Sequence, residues 1–237
     1  MPNRLVTQLF DRMDSWRHLP NYQLERRADL FFSLYLTSAL EAKLRIPISP
    51  VIIPEFPVRI GTIYPAIPID KSCKIDYVCF SADLNTSIFV ELKTEGSSRR
   101  EAQDKYLAAA KKAGFANLLH GLLMIFRATT AKRKYYHLLK TIEQAGFLAI
   151  PRAVHKIVQS ETLVGLTSAA EKIAVTRSPQ QCMVIYVQPN VPPDGQSSDI
   201  ISFADFGSVV EKSSDPVSVR FAQSLQQWAT VTAEHTP

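Results

Sequence analysis

Seven consecutive residues, Ser87-Ile88-Phe89-Val90-Glu91-Leu92-Lys93, constrain this chain more than any other stretch. Aliphatic and aromatic side chains at this density specify a strand, and a strand sends successive side chains to opposite faces. Ile88, Val90 and Leu92 therefore share one face, which has to be buried against a helical layer. Phe89, Glu91 and Lys93 share the other, so a carboxylate and an ammonium lie side by side on what reads as a central strand. Upstream, Lys74-Ile75-Asp76-Tyr77-Val78-Cys79-Phe80 forms a second strand, and the short Asp83-Leu84-Asn85-Thr86 turn makes the two an antiparallel hairpin. Asp76 brings a second carboxylate beside Glu91 if the register allows it.

The elements around this hairpin follow from periodicity and punctuation. Residues Asn21 to Ile46 read as one long helix halted by Pro47, with Leu24, Ala28, Phe31, Phe32, Tyr35, Ala39, Ala42 and Ile46 on one stripe and Arg26, Ser33, Thr37 and Glu41 opposite. Val51 to Ile53 and Phe56 to Ile60, interrupted by Pro54 and Pro57, are strand candidates suited to a sheet edge. After Lys93, Ser98 and Glu101 have capping-box spacing, and the helix they open runs to about Ala113, where Gly114 stops it. Helical patterning resumes over 116–127 and 131–145, while 150–178 is ambiguous. Cys182 to Gln188 is a buried strand ended by Pro189, a shorter strand lies near Ile200 to Phe203, and Asp215-Pro216 opens a last helix to about Val231. The expected fold is α/β, a central mixed sheet flanked by helices. It forms a single domain over 1–237, with a core of about 21–113 plus 180–206 and a helical insertion of about 116–178.

Composition narrows the class. A hydrophobic fraction of 46% and a charged fraction of 21% are those of a globular domain with a packed core. No run of eighteen apolar residues exists, no apolar leader follows Met1, and Cys73, Cys79 and Cys182 form no metal-ligand or disulfide pattern, so a cytoplasmic protein without membrane partners is the expectation. Net charge is +5 with a pI near 9.1. Between Arg99 and Lys140 ten basic residues face two acidic ones. Arg99, Arg100, Lys105, Lys132, Arg133 and Lys134 are the candidates to contact nucleic-acid phosphates, and the same run reads equally well as a solvated helical surface. Lys132-Arg133-Lys134 followed by Tyr135-Tyr136 could grip a backbone and stack a base, or simply start a helix with its aromatics packed inward.

Two carboxylates converging in a partly buried site repel one another unless a cation intervenes, and hard oxygen donors suit Mg²⁺ or Mn²⁺. Lys93 would add a fixed positive charge where negative charge grows in a phosphoryl-transfer step. Other chemistries lack their residues: there is no G-x-S-x-G, no G-x-x-x-x-G-K, no dinucleotide-type glycine run and no H-E-x-x-H, and the five histidines are scattered.

Ile75-Asp76, followed fifteen residues later by Glu91-Leu92-Lys93 in a hydrophobic strand, resembles the PD-(D/E)XK nuclease superfamily. The likeness covers about Tyr22 to Ala113, with Cys182 to Gln188 as a late core strand. It implies a restriction-endonuclease-like core and Mg²⁺- or Mn²⁺-dependent hydrolysis of phosphodiester bonds in DNA. In that scheme Asp76 and Glu91 are metal ligands and Lys93 is the catalytic lysine. Members often add a glutamate from the first helix. Glu25 and Glu41 lie about 160° apart on that helix, so one site cannot use both, and Glu25 beside the apolar stripe is the choice. Ile75 stands where many members have proline. Some relatives carry a glutamine and a tyrosine one turn apart on the helix after the lysine strand; Gln103 and Tyr106 are similar at a spacing of three rather than four, which makes Gln103 a supporting site residue and Tyr106 a core residue. The resemblance leaves open a homodimer or a subunit of a larger complex. The rival expectation is a non-catalytic nucleic-acid-binding or assembly module of the same architecture.

Overall fold

The computed structural model of the chain describes residues 4–66, 71–94, 101–192 and 199–231. Helices α1 (Arg4–Trp16) and α2 (Leu24–Leu44) precede strand β1 (Ile53–Arg59), the short α3 (Ile60–Ile63), and strands β2 (Ser72–Phe80) and β3 (Thr86–Leu92). Then come α4 (Glu101–Ala113), α5 (Phe115–Ala128), α6 (Lys132–Gln144), β4 (Leu148–Ala149), α7 (Arg152–Gln159), α8 (Leu166–Ala170) and β5 (Ala174–Val175). Strands β6 (Gln181–Gln188) and β7 (Ile200–Ser202) lead into α9 (Phe203–Val210), a 3-10 turn over Glu211–Ser213, and α10 (Pro216–Val231).

The fold is α/β, with a mixed five-stranded sheet in the order β1-β2-β3-β6-β7 and helices flanking it. β1 pairs antiparallel with β2 from Ile53 opposite Val78 to Arg59 opposite Ser72, and it is an edge strand, which is how it tolerates Pro54 and Pro57. β6 and β7 run parallel. The Gln181 N–H donates to the Asn85 carbonyl at 3.1 Å and the Lys93 N–H to the Val187 carbonyl at 2.8 Å, so contacts advance together along β3 and β6 and this pair is parallel too. β4 and β5 form a separate antiparallel pair.

The chain divides into two compact units, Met1–Pro50 with Val90–Asp104 and Val184–Pro237, and Val51–Phe89 with Lys105–Met183. In the first, α10 packs on α1 and α9, and α2 packs on α9. Its centre is aromatic: the Phe10 and Phe31 rings lie 4.7 Å apart, and Phe32 meets Phe221 at 5.2 Å and Phe206 at 5.2 Å, both edge-on. A polar network anchors α1 to α10. Asp14 accepts from the Trp228 indole at 2.8 Å, from Arg220 at 2.5 Å and from Ser224 at 3.2 Å, and Arg220 also reaches Asp11 at 2.8 Å. In the second unit, α5 packs on β1 and buries Phe115, Leu118, Leu122 and Phe126, and Phe115 meets Phe56, Phe80 and Phe147.

The expected elements are present with shifted limits. The long helix starts at Leu24 and ends at Leu44, where Arg45 takes the left-handed conformation (φ 58°) and returns its N–H to the Glu41 carbonyl. Its buried stripe is rotated toward Leu36 and Leu40, leaving Leu30 (72% exposed) and Leu34 (65%) outside. Gly114 (φ 80°) ends α4. Ser98 of the expected capping box lies outside the described residues. Asp215 caps α10 as read from the sequence: its Oδ1 accepts from the N–H groups of Val217 and Ser218 at 2.8 and 3.0 Å, and the Ser218 N–H first of all holds the carboxyl below its ordinary pKa. Helix α1 was not anticipated, nor was α9, which begins at once after β7 on a Ser202–Asp205 capping box. Among the described residues no helix is long and apolar enough to cross a membrane.

The Asp14 network makes a prediction. Asp14→Ala removes the acceptor that Arg220, Ser224 and Trp228 share, and should lower the unfolding free energy in urea by about 2–3 kcal/mol, whereas Asp11→Ala, which removes one exposed partner, should cost under about 1 kcal/mol. Equal effects would show that the network does not anchor α1.

Candidate active site

Every residue of β3 from Ser87 to Leu92 is buried, and so is Lys93 just beyond it. The strand has both faces covered, since Ile88, Val90 and Leu92 on one and Phe89, Glu91 and Lys93 on the other are all buried. Its polar pair is buried with them: Glu91 is 1% exposed and Lys93 is 3% exposed. Charges cannot be left unpaired there, since desolvation costs several kcal/mol per ion unless a partner repays it.

The partners come from three elements of the first unit. Lys93 Nζ donates to Glu91 Oε1 at 2.7 Å, the two side chains sharing a face because they are two residues apart. Glu25, in the first turn of α2, brings its Oε2 to 4.0 Å from the same ammonium. Gln103, in the first turns of α4, donates from Nε2 to Glu91 Oε1 at 2.7 Å. That assignment is forced chemically, because turning the amide over would point two acceptors at each other. The Gln103 Oε1 atom is then buried without a hydrogen-bond partner among the described residues. Glu25 is the half-exposed member, its side chain 35% accessible, so the cluster opens toward solvent on the α2 side.

Two features of this cluster set its chemistry. Its carboxylates, Glu91 and Glu25, both lie within reach of the Lys93 ammonium. It also holds an amide oxygen that lacks a donor among the described residues. Carboxylate and amide oxygens are hard donors, and these suit a divalent ion of the Mg²⁺ class. Among the described residues no three His, Cys, Asp or Glu side chains are grouped to hold a metal ion. An ion here would therefore draw on the amide oxygen, water or substrate oxygens besides carboxylates, as Mg²⁺ commonly does.

Asp76 lies half-buried on β2, the strand that the sheet order places next to β3. Glu41, the competitor of Glu25, is spent at the far end of α2, where its Oε1 accepts from the Ile48 N–H at 3.0 Å. Tyr106 is half-buried and donates its hydroxyl to the Lys74 carbonyl at 2.8 Å, a structural tie between α4 and β2. Asp104, which the sequence did not single out, accepts from the Tyr186 hydroxyl at 2.7 Å and binds α4 to β6. Arg99 and Arg100 lie outside the described residues. Lys105 and Lys134 are exposed.

Lys132 and Arg133 have local work. Lys132 Nζ donates to the carbonyls of Phe126 and Arg127 at 2.8 and 2.5 Å, capping α5, and burial lowers its pKa. Arg133 closes α7 by donating to the carbonyls of Val158 and Ser160 at 3.4 and 2.9 Å. Tyr136 packs inward, its hydroxyl 2.7 Å from His155 Nδ1, and its pKa is raised by burial and then by Glu143. No protein-family model, no curated protein and no solved structure matches the chain.

The buried pair predicts coupled energetics. Lys93→Met removes the ammonium paired with buried Glu91 and should cost about 3–5 kcal/mol in urea unfolding, while Glu91→Leu/Lys93→Met should cost less than the sum of the single changes by at least about 1 kcal/mol. Additive losses would mean that the two groups do not depend on each other.

Proposed function

We propose that the chain hydrolyses phosphodiester bonds in DNA with Mg²⁺ or Mn²⁺, on a restriction-endonuclease-like core and in the manner of the PD-(D/E)XK nucleases. The observation that carries this reading is the cluster in which the Lys93 ammonium reaches the carboxylates of Glu91 and Glu25 and the Gln103 amide oxygen is buried without a hydrogen-bond partner among the described residues. Carboxylate and amide oxygens gathered in this way can take a divalent cation, and a buried amide oxygen is commonly paired unless a ligand or water meets it.

In this reading Glu91 and Glu25 would hold the ion, with Asp76 the further ligand that the resemblance implies, and the bound ion would polarise a phosphoryl oxygen and acidify a water. Lys93 places a positive charge beside the phosphorus and stabilises the negative charge that grows on its oxygens. Its position is fixed by Glu91, so the ammonium is pre-oriented and needs no reorganisation during the step. Gln103 is a positioning residue: its Nε2 holds Glu91 in one orientation. Exposed Lys105, with Arg99 and Arg100, would meet backbone phosphates near the same helix.

One observation favours the second reading, a non-catalytic module: Lys93 already offsets one carboxylate, and no group of three acidic or imidazole ligands is gathered among the described residues. DNA cleavage with purified protein separates the two. Activity should appear with Mg²⁺ or Mn²⁺, vanish with chelator, and fall at least about 100-fold in Asp76→Ala and Lys93→Ala. Glu25→Gln, at a half-exposed position that does not threaten folding, should lower activity and weaken Mn²⁺ binding together. Metal-independent cleavage, or cleavage unchanged in all three variants, sinks the nuclease reading, and absence of both cleavage and a Mn²⁺ site supports the module.

A further inference from the structure

We infer that the exposed face shared by α6 and α7 binds the phosphate backbone of a nucleic acid without regard to base sequence. The face lies in the unit formed by Val51–Phe89 and Lys105–Met183 and shares no residue with the Glu25–Lys93 cluster. It stands whether or not the chain cleaves DNA.

Charge sets this region apart. Between Lys105 and Met183 twelve lysines and arginines stand against Glu143, Glu161 and Glu171. That excess of nine is larger than the net +5 of the whole chain, so the remaining residues are acidic overall. The imbalance is sharpest over 132–159, where six lysines and arginines accompany one carboxylate, Glu143.

Contacts fix how the two helices lie. Arg133, at the start of α6, donates to the carbonyls of Val158 and Ser160 at the end of α7. Midway, the Tyr136 hydroxyl lies 2.7 Å from His155 Nδ1, and near the end of α6 Glu143 accepts from the Ile150 N–H just before α7. Contacts retreat along α7 as they advance along α6, so the helices are antiparallel neighbours. In that register Lys140 falls level with Arg152, and His137 with Lys156. Tyr136, Leu139 and Ile142 of α6 are buried, as are Val154 and Val158 of α7. Lys134, His137, Lys140, Arg152 and Lys156 are exposed.

This placement sets like charges against one another. Arg152 and Lys156 are four residues apart, a spacing at which like charges destabilise a helix, and Lys140 adds a third cation from the neighbouring helix. Arg152 opens α7 and Lys134 lies in the first turn of α6, ends at which the helix dipole disfavours a cation and favours an anion. The Glu143 carboxylate is engaged by the Ile150 N–H and lies 3.6 Å from His155. A polyanion laid across both helices turns the repulsion into attraction and releases its own condensed counterions.

The same face selects among polyanions. Besides the cations and His137, its exposed side chains are Thr141, Gln144, Ala153 and Gln159. A helix that lies on a membrane presents Trp, Phe or Leu to the acyl boundary, and a protein partner is anchored chiefly by large buried side chains. Cations with amides and a hydroxyl, in contrast, are the groups that meet phosphate and sugar oxygens.

The test is binding of a fluorescein-labelled, random-sequence 20-base-pair DNA duplex, followed by anisotropy in chelator over a series of salt concentrations. The unaltered chain should bind with a Kd of about 10⁻⁴–10⁻⁶ M near physiological salt. Lys140→Gln/Arg152→Gln, at two exposed positions, should weaken binding about tenfold and reduce the slope of log K against log salt by about two. Arg45→Gln/Lys212→Gln removes as many charges at exposed positions of the other unit and should leave Kd within about twofold. Equal losses in the two double variants would show that net charge governs binding and would overturn the face. An unchanged Kd and salt slope in Lys140→Gln/Arg152→Gln would overturn it too, as would tighter binding to phosphatidylserine vesicles than to the duplex. Cleavage is scored separately, so this inference and the nuclease reading can each fail alone.

Discussion

A carboxylate and an ammonium buried together on a central strand set the terms for the first compact unit. Glu91 and Lys93 can occupy β3 only if each finds a partner, because isolated charges at their depth would each cost several kcal/mol. They pair with each other at 2.7 Å, and they also oblige α2 and α4 to come close enough to deliver Glu25 and Gln103. Among the described residues the Gln103 amide oxygen remains without a donor. A buried network that is incompletely satisfied costs stability, and such a cost is commonly carried where function requires it.

The remaining polar contacts of both units are more conventional, and the contrast is informative. Asp14 meets the indole of Trp228, the guanidinium of Arg220 and the hydroxyl of Ser224, so its acceptor capacity is used while it ties α1 to α10. Glu143 accepts from the Ile150 N–H at 2.7 Å, and the neighbouring His155 lies between the Tyr136 hydroxyl and the Ile150 carbonyl. Lys132 and Arg133 saturate the carbonyl groups at two helix ends. These groups hold elements in place and offer little to a ligand. The Glu25–Lys93 cluster differs because, among the described residues, the Gln103 amide oxygen within it has no donor.

Much of the architecture was legible because it rests on local rules. Alternating apolar residues marked β2 and β3, Pro54 and Pro57 marked an edge, and Asp215 before Pro216 marked the start of α10. Helix α9 escaped because Ile200 to Phe203 reads as a strand, while the Ser202-x-x-Asp205 spacing that starts the helix falls inside that apolar run. Helix α1 escaped because its buried face is only Phe10 and Met13, a signal too sparse for periodicity; contacts with Phe31 and Phe221, distant in sequence, complete it. For the site, the spacing of Glu91 and Lys93 was enough to put them on one face. The choice of Glu25 over Glu41 followed from helical geometry, and the far end of α2, where Glu41 bonds Ile48, is the physical counterpart of that choice.

The amino-acid sequence by itself determined which side chains share a face of a strand or helix, since that depends only on the repeat of each element. It determined that a charged pair would sit within an apolar strand, and that a proline-rich strand would seek an edge. Only the tertiary structure decided that both faces of β3 are covered, that Gln103 spends its amide N–H on Glu91 and leaves its oxygen without a partner among the described residues, and that Lys132 and Arg133 turn to helix carbonyls. The reason is that burial and hydrogen-bond satisfaction are set by neighbours far away along the chain, and these enter no local periodicity.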